Sequence, residues 1–164
     1  MTAPDLRVGL GFDVHPFEEG RPLVLGGVEI AEGPGLAGHS DADVVAHAVA
    51  DALLSAAALP DIGTLFPASD PTYRDVSSLT FVNAATDRLT ELGFSVQNVS
   101  VVIAAERPAL APYVDEMAAN LSVCAGASVS VTPKRSEGVG AVGRGEGIAA
   151  WAVALLSREV GGVG

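Results

Sequence analysis

The chain has 164 residues, 49% of them hydrophobic and 18% charged, which suits a single globular domain over 1–164 and argues against disorder. A formal net charge of −11 repels a phosphate backbone, so a nucleic-acid partner is not expected. Cys124 is the one cysteine, which rules out an internal disulfide. The N-terminus has no signal core, and no window reaches the ~18 uninterrupted apolar residues of a membrane span. A cytoplasmic protein with no membrane partner is therefore expected.

Residues 1–5 read as a flexible lead-in and Leu6 to Phe12 as a strand. Leu23 to Ile30, with Gly26-Gly27 at its middle, reads as a hairpin. Ser40 and Asp43 have capping-box spacing and open a helix running through Val44 to Ala56 and ending before Pro60. The stretch from Asp61 to Pro71 is irregular, and a second helix runs from about Ser77 to Glu91. Val96 to Ala105 alternates as a strand, Pro112 to Cys124 reads as a helix, and Val129 to Val131 as a short strand. The glycine-rich segment Gly138 to Gly147 leads into a final apolar stretch, Ile148 to Leu156, that reads as a helix. The fold class is then α+β, a mixed sheet with helices on one face.

The run Gly11-Phe12-Asp13-Val14-His15 puts a carboxylate and an imidazole two positions apart, hence on one face of an extended strand. The chain has three histidines, His15, His39 and His47. On the predicted 44–56 helix, Ser40, Asp43, His47 and Asp51 fall within about 80° of one another, a polar stripe on an otherwise apolar helix. With His47 facing Asp13 and His15, two imidazoles and a carboxylate form the three-ligand set of a catalytic zinc. Asp43 or Asp51 would hold the other ring nitrogen of His47. Each histidine could equally be a hydrogen-bonded structural residue.

Two Gly-x-Gly-x-x-Gly runs occur, Gly33 to Gly38 and Gly138 to Gly143, and neither sits in the βαβ unit that a dinucleotide site requires. The second leaves open a backbone cradle for phosphate. Lys134, Arg135 and Arg144 gather around it with Glu137. They read either as a solvated turn or as phosphate clamps with Glu137 holding a harder cation such as magnesium.

Five blocks in order, 11–15, 38–47, 51–59, 61–67 and 143–147, resemble the 2-C-methyl-D-erythritol 2,4-cyclodiphosphate synthases of the non-mevalonate isoprenoid route. The resemblance spans about residues 7 to 157. It implies a ferredoxin-like α+β subunit, assembled as a homotrimer with active sites between neighbouring subunits. It also implies a small-molecule substrate, 4-diphosphocytidyl-2-C-methyl-D-erythritol 2-phosphate, cyclised with loss of CMP. By the same resemblance zinc sits on Asp13, His15 and His47, and a second divalent ion, usually magnesium, on Glu137 with the diphosphate. His39 and Ser40 would contact substrate, with His39 stabilising the transition state. Asp13, Val14 and His15 would line the site, and Asp61, Ile62 and Gly63 would hold the erythritol hydroxyls. Phe66 to Asp70 would line the pocket, Ala105 to Ala111 (with Pro108) would wrap the cytosine, and Lys134, Arg135, Ser136, Glu137, Ala141 and Arg144 would approach from the phosphate side.

Some positions depart from the family pattern. Lys134 and Arg135 stand where many members carry a Thr-Thr pair, which makes Arg135 the expected transition-state cation. Ala68 replaces a residue that is often acidic, and Ala141 a bulky aromatic near the trimer axis. No cytidylyltransferase segment is present, so the single-function form is expected. The same ligands would also serve a zinc hydrolase or a non-catalytic trimeric binder of isoprenoid diphosphates.

Overall fold

The structure is a computed structural model that describes residues 3–160. In chain order it contains β1 (Asp5–Glu18), β2 (Leu23–Leu25), β3 (Val28–Ile30), β4 (Gly35–Leu36), α1 (Val44–Ala56), α2 (Ile62–Leu65) and α3 (Leu79–Glu91). There follow β5 (Ser95–Ala104), α4 (Val114–Ala125), β6 (Ser128–Lys134), the one-turn α5 (Gly140–Gly143) and β7 (Gly147–Arg158). β1 opens at Asp5, inside the stretch expected to be a lead-in, while Met1 and Thr2 lie outside the described residues.

A mixed five-stranded sheet runs in the order β4-β1-β7-β5-β6. β7 is antiparallel to both β1 and β5, and β5 is parallel to β6 through the α4 crossover. The α+β class and the placing of helices on one face follow the sequence reading. The main elements β1, α1, α3, β5, α4, β6 and β7, however, run β-α-α-β-α-β-β, not the β-α-β-β-α-β of a ferredoxin-like subunit, so that part of the expectation is corrected.

The largest correction is the final segment. Ile148 to Leu156, expected to be helical, is the centre of β7. Its alanines favour a helix locally, but the run Ala150-Trp151-Ala152-Val153-Ala154 alternates small and large residues with period two. The small residues and Ile148 and Leu156 face the helices and are buried, while Trp151 and Val153 face the other way. Neighbouring strands on both sides supply the ladder that overrides local propensity.

The 23–30 hairpin forms as a separate two-stranded sheet. Its turn places Gly26 (φ 56°) and Gly27 (φ 73°) in the left-handed region that a type I′ turn requires. α1 is capped by Asp43, and Ser40 stands outside the helix. The Asp43 carboxylate accepts the N–H groups of Val45 and Ala46 at 3.1 and 3.0 Å and those of Gly26 and Gly27 at 2.9 and 2.7 Å. One buried carboxylate thus ties the hairpin turn to the helix N-terminus, and burial pushes it up to about 6.

α1 lies against β1 and β7 on one side and packs against α3 on another. Its backbone approaches β1 so closely that a Cβ on Gly11 would stand 1.9 Å from the Ala48 carbonyl oxygen, and one on Gly9 2.0 Å from that of Ala52. Gly11→Ala should therefore push α1 off the sheet and cost at least about 2 kcal/mol, read as a lowered urea midpoint. A midpoint within error of wild type would show that α1 is not seated as described.

Candidate metal centre and active site

Along the inner face of β1 the order is Gly9, Gly11, Asp13, His15. The two glycines lie under Ala52 and Ala48, so His47, the residue before Ala48, comes down beside Asp13. His15 Nε2 is 2.8 Å and His47 Nδ1 2.9 Å from Asp13 Oδ2, and the two nitrogens are 3.3 Å apart. The sequence-predicted triad is therefore assembled, with its three donor atoms within 4.8 Å of one another and His47 only 8% exposed. Asp13 and His15 both lie within β1, which continues to Glu18.

The donor chemistry fits a cation. His15 Nδ1–H donates to the Ala37 carbonyl at 2.6 Å, so the Nε2 of a neutral His15 presents a lone pair to the Asp13 carboxylate. A lone pair held against a carboxylate calls for positive charge between them. Burial pushes the Asp13 carboxyl upward, but in the acid range where a carboxyl titrates the neighbouring rings of His15 and His47 are imidazolium donors, and their hydrogen bonds and charge outweigh burial and hold it at about 2. Burial draws His15 down, and the Asp13 carboxylate overcomes this and raises it.

The expected partners of His47 are corrected. Asp43 is committed to backbone N–H groups, and Asp51 accepts the Ile62 N–H at 2.8 Å. His47 Nε2 instead meets Ser78 Oγ at 2.8 Å and Ser40 Oγ at 3.2 Å. Ser78 lies far along the chain, at the start of α3, and its serine-rich surroundings gave the sequence no signal. Arg21 was missed as well: its guanidinium donates to the carbonyls of Gly38 and Ser40 at 2.5 and 2.6 Å, holding the loop that presents His39 between them.

The remaining predicted residues fall around two clefts. A small one of about 70 Å³ is lined by His39, Ser40, Phe66, Ala68, Tyr73 and Phe81. Phe66 stacks on Phe81 at 4.9 Å, and the Phe81 ring lies 5.8 Å from that of His47, so this cleft adjoins the triad. His39 Nε2 lies 3.2 Å from the Asp70 carbonyl oxygen, and Asp61 caps α2 through the Thr64 N–H at 2.9 Å with Gly63 beside it. The second cleft, about 180 Å³, is lined by Ala105, Pro108 to Ala111, Pro133, Lys134 and Arg135, bringing the expected cytosine stretch beside the two cations.

Glu106 Oε2 accepts the Ser136 N–H at 3.1 Å, anchoring the loop that carries the exposed Glu137. Ala141 lies in α5, and Arg144 pairs with Glu146 at 2.6 Å. Val14 projects outward from β1, on the face away from the triad. The 33–38 glycine run contains edge strand β4, paired with β1, and is no phosphate loop. A larger cavity of about 650 Å³, lined by Phe17, Glu32, Pro34, Arg107 and Pro108 among others, does not include the triad.

These features define a small α+β protein with a three-donor metal-competent site on the inner face of its sheet. The sequence model described as the YgbB family matches residues 6–157, and the chain belongs to that family. It is 48% identical over 160 residues to the 2-C-methyl-D-erythritol 2,4-cyclodiphosphate synthase of Moorella thermoacetica, covering 95% of this chain and 98% of that protein. It is 52% identical over 161 residues to the bifunctional enzyme IspD/IspF of Anaeromyxobacter sp., covering 96% of this chain but 41% of that longer protein. A CDP-bound structure of 2C-methyl-D-erythritol-2,4-cyclodiphosphate synthase superimposes with a TM-score of 0.84 at 38% identity, over 92% of this chain and 99% of the other. Among the described residues, no helix is long and apolar enough to cross a membrane.

The pH behaviour of the metal-free triad follows from these shifts. Asp13 is held at about 2 against an ordinary 3.8, so its stabilisation is fully present above about pH 4 and is lost as pH falls toward 2. His15 is raised above 6.5, so its contribution is fully present below that value and is lost as pH rises through the folded value. In Asp13→Asn the carboxylate that outweighs burial is gone, and the His15 midpoint by ring-proton NMR should fall below its wild-type value. An unchanged midpoint would remove Asp13 as its partner.

Proposed function

We propose that this chain converts 4-diphosphocytidyl-2-C-methyl-D-erythritol 2-phosphate to 2-C-methyl-D-erythritol 2,4-cyclodiphosphate with release of CMP, working in the cytoplasm as one catalytic domain within a homotrimer. The observation that carries the reading is the assembled Asp13–His15–His47 triad in a chain that matches its family from residue 6 to 157. Zinc suits two imidazoles and a carboxylate, and magnesium suits Glu137 together with diphosphate oxygens. When bound, these metals neutralise diphosphate charge and polarise the attacked phosphorus.

The protein's own part is positioning and charge. A 2-phosphate oxygen attacks the β-phosphorus and the bond to CMP breaks, so no side-chain nucleophile is needed. His39, held at the edge of the small cleft by the Arg21-clamped loop, orients the phosphate being transferred. The backbone of 105–111 takes the cytosine, and Lys134 and Arg135 beside it meet the phosphates. Arg135 supplies as charge what the family's threonine supplies as a hydroxyl hydrogen bond.

The two clefts are lined by separate residue sets, which supports a site completed between subunits. The sheet face opposite the helices supports the assembly: Val8 is 70% and Leu10 61% exposed there, with Leu6, Phe12, Val14, Trp151 and Val153 also exposed. So continuous an apolar surface fits burial against copies of itself. Leu10→Glu should convert the trimer to monomer on size-exclusion chromatography with light scattering, and a trimer that persists would place the interface elsewhere.

Incubation with the cytidylyl substrate and magnesium should yield CMP and the cyclic diphosphate. Linear phosphates would replace this reading with a hydrolase, and binding without turnover would replace it with a binder. Arg135→Ala should lower kcat on the order of 10²-fold while zinc content stays stoichiometric.

A further inference from the structure

Ser78 precedes α3 at the position where a serine hydroxyl ordinarily accepts a helix N–H. It makes no such bond. Its hydroxyl is turned instead into a buried cluster, 2.8 Å from His47 Nε2, 3.0 Å from Ser40 Oγ and in a short contact with Asp41 Oδ1. The Ser78 N–H donates to Asp41 Oδ2 at 3.1 Å, and the Asp43 N–H to Asp41 Oδ1 at 3.1 Å. Ser78 is fully buried, and Ser40 is 5% exposed.

Counting protons leaves one arrangement. An ionised carboxylate only accepts, so the single hydroxyl proton of Ser78 goes to Asp41. The lone pairs of Ser78 Oγ then face His47 Nε2 and Ser40 Oγ, and both must donate to it. Ser40 Oγ has a lone pair left for the Ala42 N–H, which it accepts at 3.2 Å. Every member of the cluster is satisfied with the His47 proton on Nε2. Nδ1 then carries the lone pair, and it faces Asp13 Oδ2 and His15 Nε2.

We infer that Asp41 and Ser78 are positioning residues that lock His47 in its Nε2–H tautomer and so aim Nδ1 at the metal position. The use to which Nδ1 is put rests on the metal reading of the triad; the tautomer does not. The device also links α3 to the metal centre, since the same serine begins the helix and holds the ligand.

The test is long-range ¹⁵N–¹H correlation NMR of the imidazoles in metal-free protein at pH 8.5, paired with zinc affinity by chelator competition. Wild type should show His47 as the Nε2–H tautomer. In Asp41→Asn an amide N–H can face Ser78 Oγ, releasing the serine proton toward His47 Nε2, so the Nδ1–H tautomer should appear and the zinc Kd should rise 10- to 100-fold. Ser78→Ala should also weaken zinc, and Ser78→Thr, which keeps the hydroxyl, should restore wild-type tautomer and affinity. Circular dichroism melting identifies any variant that fails to fold; Ser78→Thr and wild type carry the comparison in that event. A Nδ1–H tautomer in wild type, or wild-type tautomer and zinc Kd in folded Asp41→Asn and Ser78→Ala, would overturn the inference. Failure of wild type to take up zinc, with the tautomers as stated, would overturn the metal reading and leave the lock standing.

Discussion

The close seating of α1 on β1 is the constraint on which the rest of the structure depends. Two backbones approach to a distance that leaves no room for a Cβ at Gly9 or Gly11, and the facing helix residues are Ala48 and Ala52. That approach lets His47, inside a helix, reach a carboxylate and an imidazole inside a strand. A side chain larger than hydrogen at either glycine would lift the helix by more than an ångström, enough to separate Nδ1 from Asp13. The buried cap by Asp43 fixes the same helix at its N-terminus, and the Leu10 N–H to Ser55 Oγ bond at 3.1 Å ties it to β1 nearer its C-terminus.

The proposed substrate is a polyanion, and an acidic chain that takes one has to concentrate positive charge locally. With a net charge of −11, long-range attraction is absent, and the few cations must act at short range. Asp13 adds a negative charge at the centre, which suits the triad to holding a cation. The paired imidazoles and the Lys134–Arg135 cleft suit phosphoryl chemistry governed by position and electrostatics.

Legibility in the sequence followed the range of the interactions. Same-face placing of Asp13 and His15, the Gly26-Gly27 turn and the apolar run of α1 depend on local geometry, and each formed as expected. Where several local readings compete, neighbours decide. The alternation from Ala150 to Ala154 carries a strand signal, but alanine content carries a helix signal, and the β1 and β5 ladders settle it. The polar stripe on α1 correctly marked His47. Ser40 stays beside His47, but the two aspartates turned to different partners, because Asp43 found four backbone donors and Asp51 the start of α2.

By itself the sequence determined the α+β class, the family and the three candidate ligands, because periodicity, glycine placement and residue chemistry act within a few positions of each other. Tertiary structure decided that the last segment is the sheet's central antiparallel strand and that the order of elements is not ferredoxin-like. It also decided that Ser78 and Asp41, not an aspartate of α1, stand behind His47. A helix face tells which way a histidine points. Only packing tells what is brought to its other nitrogen, since that partner comes from a helix start 31 residues further along the chain.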